Sequence, residues 1–85
     1  MTPLLPVRVM VTDAWDEVPL QLPAGTTLGE LKRQALVATR VVRDPSGYLV
    51  KYRGAEVSDD VSLADAGVVP NAGLIVLARK RQPVR

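Results

Sequence analysis

The side chains best suited to acid–base or metal chemistry in this 85-residue sequence are two close pairs of aspartates. Asp59 is followed directly by Asp60, and two residues separate Asp13 from Asp16. Paired carboxylates can share a proton or bind an oxygen-preferring cation, provided that burial or a neighbouring charge perturbs their pKa values. Both pairs lie in polar stretches with few apolar neighbours. We therefore expect solvated turn residues at these positions, not a catalytic or cation site.

The residue types that perform most enzymatic chemistry near neutral pH are missing, because the sequence contains no cysteine and no histidine. This composition excludes thiol nucleophiles, disulfides and zinc sites built from thiolate or imidazole ligands. We predict that the chain is not an enzyme, that it has no catalytic residues and that it holds no metal and no cofactor.

Length and composition indicate one small globular domain spanning residues 1–85. A chain of this size can build one hydrophobic core, and 47% hydrophobic with 24% charged residues is ordinary for a soluble protein. No apolar run approaches the ~18 residues that a membrane span requires. No basic region precedes the first apolar stretch, which Pro3 and Pro6 interrupt. We expect a cytoplasmic protein without a membrane span.

A cluster of basic residues follows the last apolar run, in "LIVLARKRQPVR", and consists of Arg79, Lys80, Arg81 and Arg85. Of 11 basic residues, removing these four leaves 7 against 9 acidic ones, so the body of the chain is slightly acidic. Nucleic-acid binding by stacking needs aromatic residues among the basic ones, and the chain has one Trp, two Tyr and no Phe. We expect the tail 79–85 to be a solvated terminus with no nucleic-acid partner; the alternative is a basic arm that assists partner docking electrostatically.

Alternating apolar residues predict two strands joined as an antiparallel hairpin. In "VRVMVT" three valines share one face while Arg8 and Met10 occupy the other, and "EVPLQL" repeats the period of two. The aspartates of the intervening "DAWD" favour a turn. Pro19 cannot donate a hydrogen bond to a neighbouring strand, so the second strand should lie at an edge of the sheet.

A helical period follows in "TTLGELKRQALVATR". Thr27 and Glu30 have the spacing of a capping box, in which the hydroxyl and the carboxylate each accept from a backbone amide of the first turn. An apolar stripe faces the core and a polar side faces water. The stripe consists of Leu28, Leu31, Ala35 and Ala38, and the polar side of Lys32, Arg33 and Gln34.

Two further strands are predicted after the helix. In "YLVKY" Val50 and Tyr52 face inward and Lys51 faces outward, and Gly54 marks a tight turn. The segment "VSLADAG" predicts a single helical turn that Ser62 caps and Gly67 ends. In the last strand Leu74 and Val76 face inward, whereas Ile75 and Leu77 face outward.

This order of elements resembles the ubiquitin-like β-grasp superfamily from Val7 to Arg81, nearly the whole chain. The resemblance rests on "TLGELK" at the helix start, "YRGAEV" after the third strand, "SLADAGV" at the short turn and "LIVLARKR" at the end. It implies an α+β domain in which a mixed four- to five-stranded sheet packs on one α-helix, with a core of about residues 7–79.

Within the superfamily, the long connection "ATRVVRDPSGYLV" and an ending without glycines are most similar to YukD-like proteins of bacterial WXG100 (type VII-like) secretion systems. The small β-grasp subunit of multicomponent di-iron monooxygenases is the alternative. A conjugated modifier is disfavoured, because Gln82 and Pro83 stand where ubiquitin and the sulfur carriers have Gly-Gly, and no adjacent glycines occur in the chain. The resemblance therefore implies a non-catalytic protein-binding accessory module.

The outward residues of the sheet are the candidate partner-binding surface. If the last strand pairs with the first and third, one face carries Arg8, Met10, Lys51, Ile75 and Leu77, with Arg79 beyond. The resemblance places Lys51 where ubiquitin has the central isoleucine of its binding patch, so ubiquitin-reading partners should not recognise it. Scattered exposed apolar residues are also normal on protein surfaces. Trp15 at the hairpin tip is either a contact anchor or folds back onto the domain.

Overall fold

The structure, a computed structural model, describes residues 4–79 of the chain. Within this range the chain forms five strands, one α-helix and one short 3₁₀ turn. In chain order they are β1 (Leu4–Val11), β2 (Asp16–Pro23), α1 (Leu28–Ala38), the 3₁₀ turn (Pro45–Gly47), β3 (Tyr48–Tyr52), β4 (Ala55–Val57) and β5 (Ala72–Ala78). The predicted order is confirmed, with β4 as an additional short strand. Residues 80–85 of the predicted basic tail lie outside the described residues.

The strands form one mixed sheet in the order β2-β1-β5-β3-β4. β1 and β5 run parallel, and the other neighbouring strands run antiparallel. The parallel pair places the last strand in the centre of the sheet. The edge position predicted for β2 from Pro19 is confirmed. A residue without an N–H is tolerated there, since one side of an edge strand has no neighbouring strand to receive a hydrogen bond.

One face of the sheet packs against α1 and forms the hydrophobic core. The inward alternation predicted for β1, β3 and β5 is confirmed, since Val9, Val50 and Val76 are fully shielded from solvent. The buried apolar residues of the sheet are Val7, Val9, Val11, Leu22, Tyr48, Val50, Tyr52, Leu74 and Val76. Those of the helix and loops are Leu28, Leu31, Ala35, Leu36, Leu63 and Val68.

The start of α1 confirms half of the predicted capping box. Thr27 is the N-cap, and its hydroxyl accepts a hydrogen bond of 3.2 Å from the backbone N–H of Glu30. The return bond was wrongly predicted, because the Glu30 carboxylate accepts instead from the side chains of Arg33 and Gln34. The hydrogen bond from Arg33 lowers the pKa of Glu30 to about 2. A charged donor one turn away therefore outcompetes the backbone amide for this carboxylate.

The core-facing side of α1 differs from the prediction at three positions. Leu36 is buried, Ala38 is exposed, and Lys32, predicted to face water, is 1% exposed. Positions 28, 31, 32, 35 and 36 make up the i, i+3, i+4, i+7, i+8 face of a helix. The helix geometry therefore carries the lysine inward despite its charge.

The Lys32 ammonium is accommodated by two oxygen acceptors. Its Nζ donates to the backbone carbonyl of Tyr48 at 2.9 Å and to Oδ2 of Asp59 at 2.7 Å. The Gly29 N–H donates to the carbonyl of Asp59 at 2.9 Å, and a Cβ at Gly29 would lie 3.1 Å from Asp59 atoms. Asp59 is thus a structural partner of the helix and not only the solvated turn residue predicted.

The predicted turns are confirmed. Arg53 and Gly54, with φ of 56° and 82°, form the two-residue connection between β3 and β4 that hairpins favour. The Ser62 hydroxyl accepts from the backbone N–H of Asp65 at 3.0 Å, and Gly67 ends that segment with φ of 76°. In the part of the chain that the structure describes, no helix is long and apolar enough to cross a bilayer.

Candidate functional site

The sheet face opposite α1, here called the outer face, gathers five of the seven residues predicted to contact a partner: Arg8, Met10, Lys51, Ile75 and Leu77. Met10 lies beside Ile75 across β1 and β5, and Ile75 lies beside Lys51 across β5 and β3. Because β5 is the central strand, Ile75 lies near the middle of the outer face. The structure therefore brings these side chains together on one surface.

An apolar patch occupies the centre of the outer face and consists of Met10, Leu49, Ile75 and Leu77, here called the outer apolar patch. Ile75 is 43% exposed, and the other three side chains are half-buried. Leu49 lies beside Leu77 in the register of β3 and β5. Sequence reasoning missed Leu49, although the period of two that points Lys51 outward also points Leu49 outward. A partner can cover this patch without disturbing the core beneath it.

Charged residues surround the outer apolar patch. Arg8 is exposed beside Gly73, and Lys51 lies between Ile75 and Glu56 in the cross-strand register. On the β2 side, Glu17 lies beside Met10. An apolar centre with a charged border has the layout of a protein–protein contact.

Arg79 is held at the border of the outer face. Its backbone N–H donates to the carbonyl of Gly47 at 2.9 Å. Its guanidinium donates to the carbonyl of Ser46 at 3.3 Å and to Glu56 at 3.2 Å. Both charged side chains of this ion pair are about half exposed, so the pair adds little stability but fixes the position of the positive charge.

Trp15 lies apart from the outer apolar patch, in the turn that joins β1 to β2. Its side chain is 79% exposed, and its φ is 53°. The structure thus excludes the alternative that Trp15 folds back onto the domain. A bulky aromatic residue in the left-handed region is uncommon, because the Cβ approaches the backbone closely there.

Three hydrogen bonds hold the turn that carries Trp15, one within the turn and two to the sheet. The N–H of Trp15 donates to the carbonyl of Thr12 at 3.1 Å, and the N–H of Thr12 donates to the carbonyl of Val76 at 3.0 Å. The hydroxyl of Tyr48 donates to Oδ2 of Asp13 at 2.5 Å. This last bond raises the pKa of Tyr48, since deprotonation would place two negative charges side by side.

The Tyr48–Asp13 bond predicts a raised pKa for the Tyr48 hydroxyl. We expect Tyr48 to ionise above the usual value of about 10, and Asp13→Asn to lower its pKa. Because the folded-state pKa is raised, the stability from this bond is present below pH ~10 and is lost as the pH rises through the folded-state pKa. NMR of ring-labelled tyrosine measures the Tyr48 pKa in the parent and in Asp13→Asn. A Tyr48 pKa unchanged in Asp13→Asn would contradict the bond.

The carboxylate pairs do not converge on a reactive centre. Asp13 is engaged by Tyr48 and Asp59 by Lys32, and both partners are structural. Asp16 and Asp60 are exposed. Among residues 4–79, no group of three or more acidic side chains is placed to hold a metal ion.

Comparison of the whole chain with known proteins establishes its fold. No protein-family model matches the chain, and no curated protein matches its sequence. Among solved structures, the ubiquitin of Caldiarchaeum subterraneum superimposes with a TM-score of 0.78 over 94% of this chain and 99% of its own, at 14% identity. The chain has a ubiquitin-like β-grasp fold.

Two further structures support this assignment. A designed protein based on ubiquitin has a TM-score of 0.80 at 19% identity and covers 98% of each chain. An N-terminal ubiquitin-like domain has a TM-score of 0.77 at 14% identity over all of this chain and 84% of its own. The ubiquitin-like fold predicted from the order of elements is therefore confirmed.

Proposed function

We propose that this chain is a non-catalytic, ubiquitin-like protein-binding module and that a protein partner covers its outer face. The observation that carries the proposal is the outer apolar patch, with Ile75 exposed at the centre of a sheet face that α1 leaves open. Contiguous apolar area with a polar border is typical of protein contacts. Around the patch, Arg8, Lys51 and Arg79 outnumber the acidic Glu17 and Glu56. This excess of positive charge favours a partner with acidic groups around its apolar centre.

A non-catalytic role is supported by the chemistry of the side chains. The sequence offers no imidazole and no thiol, and one carboxylate of each close pair serves a structural hydrogen bond.

The biological setting that we propose is a bacterial WXG100 (type VII-like) secretion system, or another multisubunit system, in the cytoplasm. The support is the long connection between α1 and β3, which the 3₁₀ turn interrupts at Pro45. In the structure Arg79 binds this connection through Ser46 and Gly47. The connection thereby borders the outer face, where it can contribute to the choice of partner.

Site-specific photocrosslinking tests the proposed surface. A benzophenone side chain is introduced in place of Ile75 and, as a matched control, in place of Val37, which is 66% exposed on α1. Both proteins are incubated with extract of the native host and irradiated. We expect a defined crosslinked protein from the Ile75 position and none from the Val37 position.

The crosslinked protein also tests the setting. A WXG100 protein or a secretion ATPase component supports the proposal, whereas a di-iron hydroxylase subunit would replace it with the oxygenase role. Without irradiation the chain should keep its mass of 9.2 kDa. A covalent adduct through its carboxyl end would show that it is a conjugated modifier.

A further inference from the structure

We infer that Trp15 is a second protein contact, an anchor that enters an apolar pocket bordered by basic side chains on a partner. The inference shares with the proposed function only the premise that the chain binds protein. It concerns the turn between β1 and β2, which meets the border of the outer face at Glu17. The partner surface that suits this turn has the opposite charge to the one that suits the outer face.

The turn presents Trp15 in a fixed position. Its backbone is tied to the sheet through Thr12 and Val76, and Asp13 is held by the buried Tyr48. An anchor on a fixed support loses little conformational freedom on binding, and tryptophan is among the residues that most often dominate contact energies.

The backbone conformation of Trp15 indicates that this side chain serves binding and not folding. Glycine or asparagine adopts a φ of 53° with less strain than tryptophan does. Because the side chain is 79% exposed, its burial contributes little free energy to offset this backbone strain. Folding alone therefore favours a small residue at position 15, and a tryptophan there gains its main stabilisation from contact with another molecule.

The charge around Trp15 identifies the partner chemistry. Asp16 and Glu17 follow it directly and are exposed, and neither forms an ion pair among residues 4–79. From residue 9 to residue 31 the sequence contains four acidic residues and no basic residue. A negative surface of this kind repels nucleic acid and favours a protein surface rich in lysine or arginine.

The binding test uses random peptides displayed on phage as probes and the fluorescence of Trp15, the single tryptophan of the chain. Peptides selected on the parent protein should carry net positive charge and a large apolar residue, and should shift the Trp15 emission to shorter wavelength. Trp15→Ala should weaken these peptides about 30-fold, the factor of a hot-spot residue. Asp16→Asn should reduce the salt dependence of binding, and Asp16 is in register with the inward-facing Val11, not with the outer face.

Two controls separate this inference from the proposed function. Ile75→Asp with Leu77→Asp should leave peptide binding at Trp15 unchanged, and Trp15→Ala should leave the Ile75 crosslink unchanged. Trp15→Gly should unfold at the same or a higher temperature than the parent. A lower midpoint, selected peptides without net positive charge, or equal binding by Trp15→Ala would each overturn the inference.

Discussion

Leu31→Ala is expected to lower the free energy of unfolding by about 2–5 kcal/mol. Leu31 is fully buried on the face of α1 that packs against the sheet. Shortening its side chain removes apolar contacts and leaves a cavity that the surrounding strands cannot fill completely. Since a domain of this size is stable by only about 5–15 kcal/mol, this is a large fraction of the total. Chemical denaturation followed by circular dichroism measures the change.

The matched control for this variant is Val37→Ala on the same helix. Val37 is 66% exposed, so its truncation should change the free energy of unfolding by less than about 0.5 kcal/mol. Equal destabilisation by the two variants would mean that α1 does not present Leu31 to the sheet.

The strands were predictable because apolar and polar residues alternate strictly along them, and nearly every apolar residue of the pattern is buried. Val7, Val9 and Val11 are all buried, and Leu74 and Val76 follow the same rule at the other end of the chain. A half-buried strand has a period of two, so one apolar run fixes both its inward and its outward face. β4 escaped prediction because its three residues are too few to establish a period.

The face of α1 was harder to predict because one of its buried residues is charged. Lys32 has the spacing of a core residue, yet its charge favoured a water-facing position. The Lys32 ammonium can be buried because it donates to the carbonyl of Tyr48 and to the carboxylate of Asp59. These acceptors lie 16 and 27 residues further along the chain. Such a partner is a product of the tertiary fold and leaves no local signal in the sequence.

On the outer face, too, the residues that follow local alternation were predictable, whereas contacts that depend on the tertiary fold were not. Period-two alternation pointed Ile75 and Lys51 outward, and the strand order then brought them together. The same alternation also identifies Leu49 once the whole of β3 is considered. Arg79 was assigned to a solvated tail, since its contacts with Gly47 and Glu56 depend on how the connection before β3 folds back.

The double substitution Ile75→Asp with Leu77→Asp is expected to weaken partner binding about 100-fold or more while the fold is retained. Both residues point away from the core, so the main cost to folding is strand propensity, about 2 kcal/mol for the two changes. In a complex, the two carboxylates would be desolvated within an apolar contact and left without hydrogen-bond partners. Thermal melts establish that each variant is folded before binding is compared.

Isothermal titration calorimetry with the crosslinked partner, once purified, tests the central claim that the outer face binds protein. The comparison is between the parent, Ile75→Asp with Leu77→Asp, and Val42→Asp with Val69→Asp, which adds the same charge at exposed valines outside the outer apolar patch. We expect a Kd for the control pair close to that of the parent and a Kd about 100-fold higher for the outer-face pair. A folded outer-face variant that binds as tightly as the parent would contradict the claim.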